Sequence, residues 1–320
     1  MPTTPRGLAR LELPGRGICL AAVTDDALLP LGAPLVADGW SPTLAELVAE
    51  DLAPREFARR VEQLAGSTSG ISFARHRLDG QGPRWLAPVD RQECWGAGCT
   101  YRVDQEGLER MRVDRPPYAA VYEADRPLLF FKSTAERVVG HGGHISPRPA
   151  AERTIPEAEL AVLFGPSGQV LAFSLANDVT ALDLEQANPL YQPQAKIFEG
   201  STVLGPWWTP AAWVPDVMQT PFGCRVERHG RVVVRQTIDP SRLVRTLDEL
   251  SAVLFEGLAH PWGAVLMTGG GAAVPEGFGL EIGDHVMIKH PLLGDLRNDV
   301  SSCVRSADAS GATHQERRCA

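Results

Sequence analysis

Glu157, Glu159, Asp178 and Lys196 are the residues whose types and spacing carry chemistry in this chain. Glu157 and Glu159 lead into Leu160-Ala161-Val162-Leu163-Phe164, a run without a polar residue. In a strand, residues i and i+2 share a face, so both carboxylates point the same way at the mouth of a buried strand. Carboxylates held like that repel each other and need a cation or a basic partner. Two solvated glutamates at a frayed strand end is the alternative that the pair alone leaves open. A turn at 165–168, a strand over Val170–Ser174 and the segment Leu175–Asp183 follow, and a return strand brings Asp178 back beside the pair. Three carboxylates without His or Cys form a hard-oxygen site, suited to Mg²⁺, Mn²⁺ or Ca²⁺ rather than zinc. Lys196 closes a polar loop that begins at Glu185. Read alone it is a surface charge; beside three carboxylates and a divalent cation it balances the site and can move protons.

The elements that must position these residues are mostly strands. Apolar runs at 119–122, 128–131, 160–164, 170–174, 232–236, 264–268 and 285–289 are separated by Gly, Pro, Asn and Asp, which predicts a β-dominated unit over 94–303. Helices are predicted near Leu243–Phe255 and Ala181–Ala187. Residues 1–93 read as a supporting domain, with strands over Gly17–Val23 and Leu28–Val36. Its first helix is capped by Thr43 with Glu46 three residues on, and a second starts at Pro54 with Phe57, Val61 and Leu64 on one face. The polar stretch 304–320 has no periodicity and reads as a disordered tail.

Composition narrows the function classes. In 320 residues there are 31 basic and 39 acidic side chains, a formal net charge of −8. That argues against nucleic acid or an anionic membrane surface as partner. No apolar run has the length of a signal peptide core or of a membrane span, so a cytoplasmic protein is expected. Cys19, Cys94, Cys99, Cys224, Cys303 and Cys319 show no CxxC spacing and are read as reduced thiols.

In combination these motifs resemble the fumarylacetoacetate hydrolase superfamily. The resemblance rests on Glu157-x-Glu159, Asn177-Asp178-Val179-Thr180-Ala181, Lys196, Gly205-Pro206 and Gly294-Asp295-Leu296-Arg297-Asn298, and it spans about 94–300. Within the family, Asn188–Lys196 is similar to the branch of 2-keto-3-deoxy-pentonate dehydratases. The resemblance implies an α+β, β-dominated fold: a distorted β-roll catalytic domain with a smaller N-terminal α/β domain. It also implies a homodimer, Mg²⁺ on Glu157, Glu159 and Asp178, and a catalytic Lys196. Hydrolase members carry a His in a Gly-x-Asn-Tyr-x-x-His segment; here the matching Gly98-Cys99-Thr100-Tyr101-Arg102-Val103-Asp104 ends in Asp104. That departure points away from C–C bond hydrolysis and toward loss of a hydroxyl, with Glu106, ahead of Glu109, as proton donor.

The expected reaction is metal-dependent dehydration of a 2-keto-3-deoxy sugar acid. Thr268, in the turn Thr268-Gly269-Gly270-Gly271, and Tyr101, Gln192 and Gln194 are the candidate substrate contacts. Hydrolysis of a 2,4-diketo acid or acylpyruvate with the same ligands is the alternative. A binding module on a degenerate site would lack part of the ligand set, which is complete here. His141-Gly142-Gly143-His144 is read as a mobile loop at the pocket rim, and Trp207, Trp208 and Trp213 as packing and dimer contacts.

Overall fold

The computed structural model describes residues 5–15, 17–31, 42–66, 71–72, 83–102 and 118–302, with only the backbone described at 71–72 and 118–119. Its strands are, in chain order, β1 (Gly7–Leu13), β2 (Gly17–Val23), β3 (Ala27–Pro30), β4 (Ile71–Ser72), β5 (Arg84–Trp85), β6 (Glu93–Gly98), β7 (Leu128–Ser133), β8 (His144–Ile145), β9 (Thr154–Ile155), β10 (Ala158–Phe164), β11 (Val170–Asp178), β12 (Thr180–Ala181), β13 (Thr202–Pro210), β14 (Phe222–Arg228), β15 (Arg231–Ile238), β16 (Ala264–Met267), β17 (His285–His290) and β18 (Gly294–Val300). Eleven of them form one sheet in the order β4-β3-β2-β1-β13-β11-β10-β16-β6-β7, with β5 on β1; five more form a second sheet, β15-β14-β17-β18-β8.

The large sheet is the middle layer, which explains the unbroken apolar run of β10. Leu160, Val162 and Phe164 face one core with Val226, Val286 and Leu296 of the second sheet. Ala161 and Leu163 face another, with Leu44 and Leu47 of α1 (Leu44–Ala49) and Phe57 and Val61 of α2 (Pro54–Gly66). A strand covered on both faces shows no alternation of polar and apolar residues. Each fully buried Leu, Val or Phe contributes about 1.5–3 kcal/mol of transfer free energy, so these two cores hold the middle layer in register.

The N-terminal helices form as their sequence predicts. The Thr43 hydroxyl accepts from the Glu46 amide at 3.1 Å and the Thr43 amide donates to the Glu46 carboxylate at 2.9 Å, a reciprocal cap. The strands β1–β3 add to the same large sheet through β1, which pairs with β13 at Leu8 and Trp208. Trp207 and Trp208 are buried within the chain, and the Trp208 indole donates to the Pro88 carbonyl at 2.6 Å, so these two serve packing.

Three sequence expectations need correction. Ala119–Tyr122 is part of a helix, Tyr118–Glu123, not a strand. Alanines favour the helix, and the Arg245 guanidinium gathers the carbonyls of Val121, Ala124 and Asp125 at its C-terminal end. The helix expected from Leu243 begins at Leu247, because Thr246 is its N-cap, accepting from the Glu249 amide at 3.1 Å. The loop His141–His144 is tied along β18: the Asn298 amide donates to the carbonyls of Gly140 and Gly143 at 2.8 and 3.1 Å, and the Gly142 amide to that of Arg297 at 2.8 Å. Residues 32–36 of the second expected strand and the whole tail 304–320 lie outside the described residues. No helix among the described residues is long and apolar enough to cross a membrane.

Candidate active site

Antiparallel pairing of β10 with β11 builds the carboxylate cluster. Ala158 lies opposite Asn177 and Glu159 opposite Ala176. One step further the same register sets Glu157 against Asp178, and the Asp178 amide donates to the Glu157 carbonyl at 2.9 Å. β11 continues four residues past Ser174 because it stays paired with β10 on one side and β13 on the other. Carboxylate oxygens of Glu157, Glu159 and Asp178 lie within 4.8 Å of one another. These are three hard, anionic oxygen donors with no nitrogen or sulfur ligand among them, a set that fits Mg²⁺, Mn²⁺ or Ca²⁺.

The turn after β16 fixes Glu159. The Thr268 amide donates to the Leu160 carbonyl at 3.0 Å, and the next residue, Gly269, donates its amide to Glu159 Oε2 at 2.6 Å. Gly269 has a φ of +105°, and a Cβ there would lie 2.1 Å from Thr100 Oγ1, so the close approach requires glycine. The Thr268 hydroxyl donates to the Leu160 carbonyl at 3.2 Å and lies 3.3 Å from the Tyr101 hydroxyl. Tyr101 is held there by a bridge to Leu243, and burial pushes its phenol pKa up.

Lys196 closes the site from the other side. It ends a short helix, Gln192–Lys196, and its ammonium donates to Glu157 Oε2 at 2.7 Å, Asp178 Oδ2 at 3.0 Å and Thr180 Oγ1 at 2.7 Å. The loop therefore delivers the lysine onto two of the three carboxylates. Gln192 is half-buried and Gln194 exposed on that same helix. Asp104, Glu106 and Glu109 lie outside the described residues.

Two groups bearing on the site escaped the sequence reading. Lys132, on β7, is fully buried, and its ammonium lies 2.6 Å from Asp178 Oδ1. It also donates to the Val179 carbonyl at 3.3 Å and to the Lys196 carbonyl. A lysine closing the apolar run Leu128-Leu129-Phe130-Phe131 is the signal that could have found it, since buried lysines are almost always paired. The second is Glu185. On its helix, Leu182–Ala187, Asp183 accepts from the amides of Glu152 and Arg153 at 3.0 and 3.2 Å. Glu185, roughly 200° further round the helix, is turned the other way, and its charge reaches Glu157 and Lys196.

Burial and charge set the protonation of the cluster. Burial pushes the Glu157 carboxyl up to about 7 against the pull of Lys196, and it lifts Glu159 well above the carboxylate range. Burial also opposes ionisation of Asp178, but Lys132 and Lys196 overturn it and hold that carboxyl low. Burial works against the Lys196 ammonium as well; Asp178, Glu157 and Glu185 outweigh it, so the amine keeps its proton well above the usual range. With all five groups ionised, three carboxylates and two lysines leave one negative charge, which a divalent cation turns into one positive charge, the complement of a substrate carboxylate.

Residues 93–301 match the family model for the C-terminal domain of fumarylacetoacetate (FAA) hydrolase. The chain is 34% identical over 215 residues to a Haloferax volcanii protein named "Probable 2-keto-3-deoxyxylonate dehydratase", covering 67% of this chain and 74% of that protein. It is 34% identical over 217 residues to 2-dehydro-3-deoxy-D-arabinonate dehydratase of Saccharolobus solfataricus, covering 67% and 73%. A solved structure of 2-keto-3-deoxy-D-arabinonate dehydratase complexed with magnesium and 2,5-dioxopentanoate superposes with a TM-score of 0.75 at 26% identity, covering 93% of this chain and 99% of that one. A carboxylate triad on paired strands, a lysine delivered by the following loop and a family match spanning both place this chain in the fumarylacetoacetate hydrolase family.

Proposed function

We propose that this chain is a Mg²⁺-dependent hydro-lyase that removes water from a 2-keto-3-deoxy sugar acid, a pentonate by preference. The observation that carries the reading is the Lys196 amine, 2.7 Å from Glu157 and 3.0 Å from Asp178, inside a triad built for a hard divalent cation. The similarity to two pentonate dehydratases supports the substrate class.

Glu157, Glu159 and Asp178 would hold a divalent cation, which would supply Lewis acidity at the C2 carbonyl to make the C3 protons more acidic and would offset the carboxylate charge that keeps Lys196 protonated. Lys196 then takes the C3 proton. The C–H electron pair forms the C3=C4 bond as the C4–O bond breaks, and the hydroxyl leaves as water with a proton from an acidic side chain. Glu106 is our choice for that donor, in the segment where hydrolase members carry their histidine. From a five-carbon acid, loss of a C5 proton and return of one to C3 moves the double bond to C4=C5 as an enol, and loss of the enol O–H proton with protonation at C4 gives 2-oxoglutarate semialdehyde. Thr268, beside Glu159 at the triad's edge, and Tyr101 orient the substrate carboxylate. Gln192 and Gln194, on the helix that ends in Lys196, are assigned to the sugar hydroxyls.

The test is turnover of 2-keto-3-deoxy-pentonate with Mg²⁺ and with EDTA, beside an acylpyruvate. The expected result is metal-dependent semialdehyde that disappears in Lys196→Ala. Metal-dependent pyruvate from the acylpyruvate, with no semialdehyde, would overturn the dehydratase reading in favour of C–C hydrolysis.

A further inference from the structure

β7 and β11 stand four strands apart in the large sheet, a separation of about 19 Å were the sheet flat. The Lys132 ammonium on β7 nevertheless sits 2.6 Å from Asp178 Oδ1 at the end of β11. The sheet therefore curls until its edge strand meets its middle, and the carboxylate triad lies at that seam. Among the described residues, β7 is the terminal strand in the order. Lys132 reaches across the seam with one ammonium, to Asp178 and to the carbonyls of Val179 and Lys196. The Lys196 carbonyl is in turn the acceptor of Ser201 Oγ at 2.9 Å, so the backbone that carries the amine is held from two directions.

The two lysines divide Asp178 between them. Lys196 lies on Oδ2, and its ammonium also takes an oxygen of Glu157, so it occupies oxygens that a cation needs. Lys132 takes Oδ1 and no other carboxylate oxygen among the described residues, while its remaining donors go to backbone. The two ammoniums thus hold the aspartate from both of its oxygens, Lys132 at Oδ1 and Lys196 at Oδ2.

We propose that Lys132 is a positioning residue of this site: it orients Asp178 for metal binding and pins the backbone of Lys196 across the seam of the curled sheet. The role rests on the metal-assisted reading given above, but its signature does not need the sugar acid. By charge alone, removing Lys132 takes away a positive charge beside the cation and tightens metal binding. By positioning, it frees Asp178 to turn away and weakens metal binding, and lost supporting contacts to a ligand typically weaken a metal 10–100-fold. The two effects have opposite signs.

The experiment is titration of metal-stripped protein with Mn²⁺, followed calorimetrically, for wild type, Lys132→Met, Lys132→Arg and Leu129→Ala. Leu129, on the same strand and packed on the core, serves as the control for general loosening of β7. Lys132→Met is expected to bind Mn²⁺ at least tenfold more weakly, Lys132→Arg to recover part of that loss, and Leu129→Ala to bind like wild type even where its melting temperature falls as far. Equal or tighter binding by Lys132→Met, or an equal loss in Leu129→Ala, overturns the proposal. Should Lys132→Met not fold, Lys132→Arg against Leu129→Ala carries the test: it keeps the charge, so weaker binding at matched stability supports positioning, and unchanged binding refutes it. Failure of the sugar-acid assay with an intact Mn²⁺ result would reject the substrate assignment and leave the role of Lys132 standing.

Discussion

Replacing Lys196 with methionine should separate its two roles, as counter-charge in the metal-free protein and as base in the loaded one. Its side chain is 6% exposed and joins Glu157, Asp178 and Thr180. Removing one partner of a buried ion pair costs about 3–5 kcal/mol, because the other charges are left uncompensated. At roughly 2 °C per kcal/mol for a chain of this size, the melting temperature in EDTA should fall by about 6–10 °C. Mg²⁺ should restore much of it. The variant site carries one more negative charge, and no ammonium competes for oxygens of Glu157 and Asp178, so the cation binds it more tightly. Each tenfold gain in affinity adds about 1.4 kcal/mol of stabilisation at saturating metal. Differential scanning fluorimetry with EDTA and with 10 mM Mg²⁺ should thus show a larger metal-induced shift in Lys196→Met than in wild type, by ~3 °C for each tenfold. Activity should not return with stability: loss of the base should cost about 10²–10⁴ in kcat. Equal melting temperatures in EDTA, or equal shifts with Mg²⁺, would refute the placement of Lys196 on the carboxylates. Retained turnover would refute its role as base.

The remaining predictions probe the same site. Glu157 has a folded pKa near 7, above its ordinary 4.5, so the native state binds this proton more tightly than the unfolded chain does. The stability it contributes is full below pH 4.5 and is lost as pH rises through 7; EDTA-treated wild type should therefore lose stability over that window relative to Glu157→Gln, while Mg²⁺ affinity, measured by calorimetry, rises. Gly269→Ala places a Cβ 2.1 Å from Thr100 Oγ1 and pulls the amide from Glu159, so it should abolish Mn²⁺ binding or folding, and wild-type affinity would contradict the Gly269 assignment. Thr268→Val should raise KM by roughly 5–150-fold, the value of one buried hydroxyl contact of ~1–3 kcal/mol, with Thr268→Ser near wild type; an unchanged KM removes Thr268 from the substrate contacts. Glu106→Gln should lower kcat without changing Mn²⁺ affinity, and wild-type turnover would remove Glu106 from the mechanism.

The cluster was legible because its strands are adjacent in sequence. Glu157, Glu159 and Asp178 sit on a hairpin whose register follows from local pairing, and the i, i+2 spacing already puts the glutamates on one face. A lysine after a polar loop has no periodicity to place it; the charge balance beside three carboxylates singled out Lys196, and the family resemblance added its catalytic role. The helix at Tyr118–Glu123 was misread because a short apolar run looks alike in either period, and its C-terminal support, Arg245, lies more than a hundred residues away. β13 was missed for a related reason. It carries Pro206, which cannot donate to a ladder, and its pairing with β11 shifts register between Phe173 and Leu175.

What no local pattern could reveal is the set of partners that Lys132 reaches. Its partners Asp178 and Lys196 lie 46 and 64 positions on, and contact depends on the curl that carries β7 round to the end of β11. In sequence it reads as the polar end of a strand. In the fold it is the second positive charge of a site that would otherwise hold three carboxylates against one lysine. The two lysines should then respond oppositely to removal. Loss of Lys196 frees oxygens that the cation needs and should tighten metal binding; loss of Lys132 releases the one ligand it orients and should weaken it. Charge counting alone makes the two variants equivalent, so a difference in sign between them can come only from where each ammonium sits.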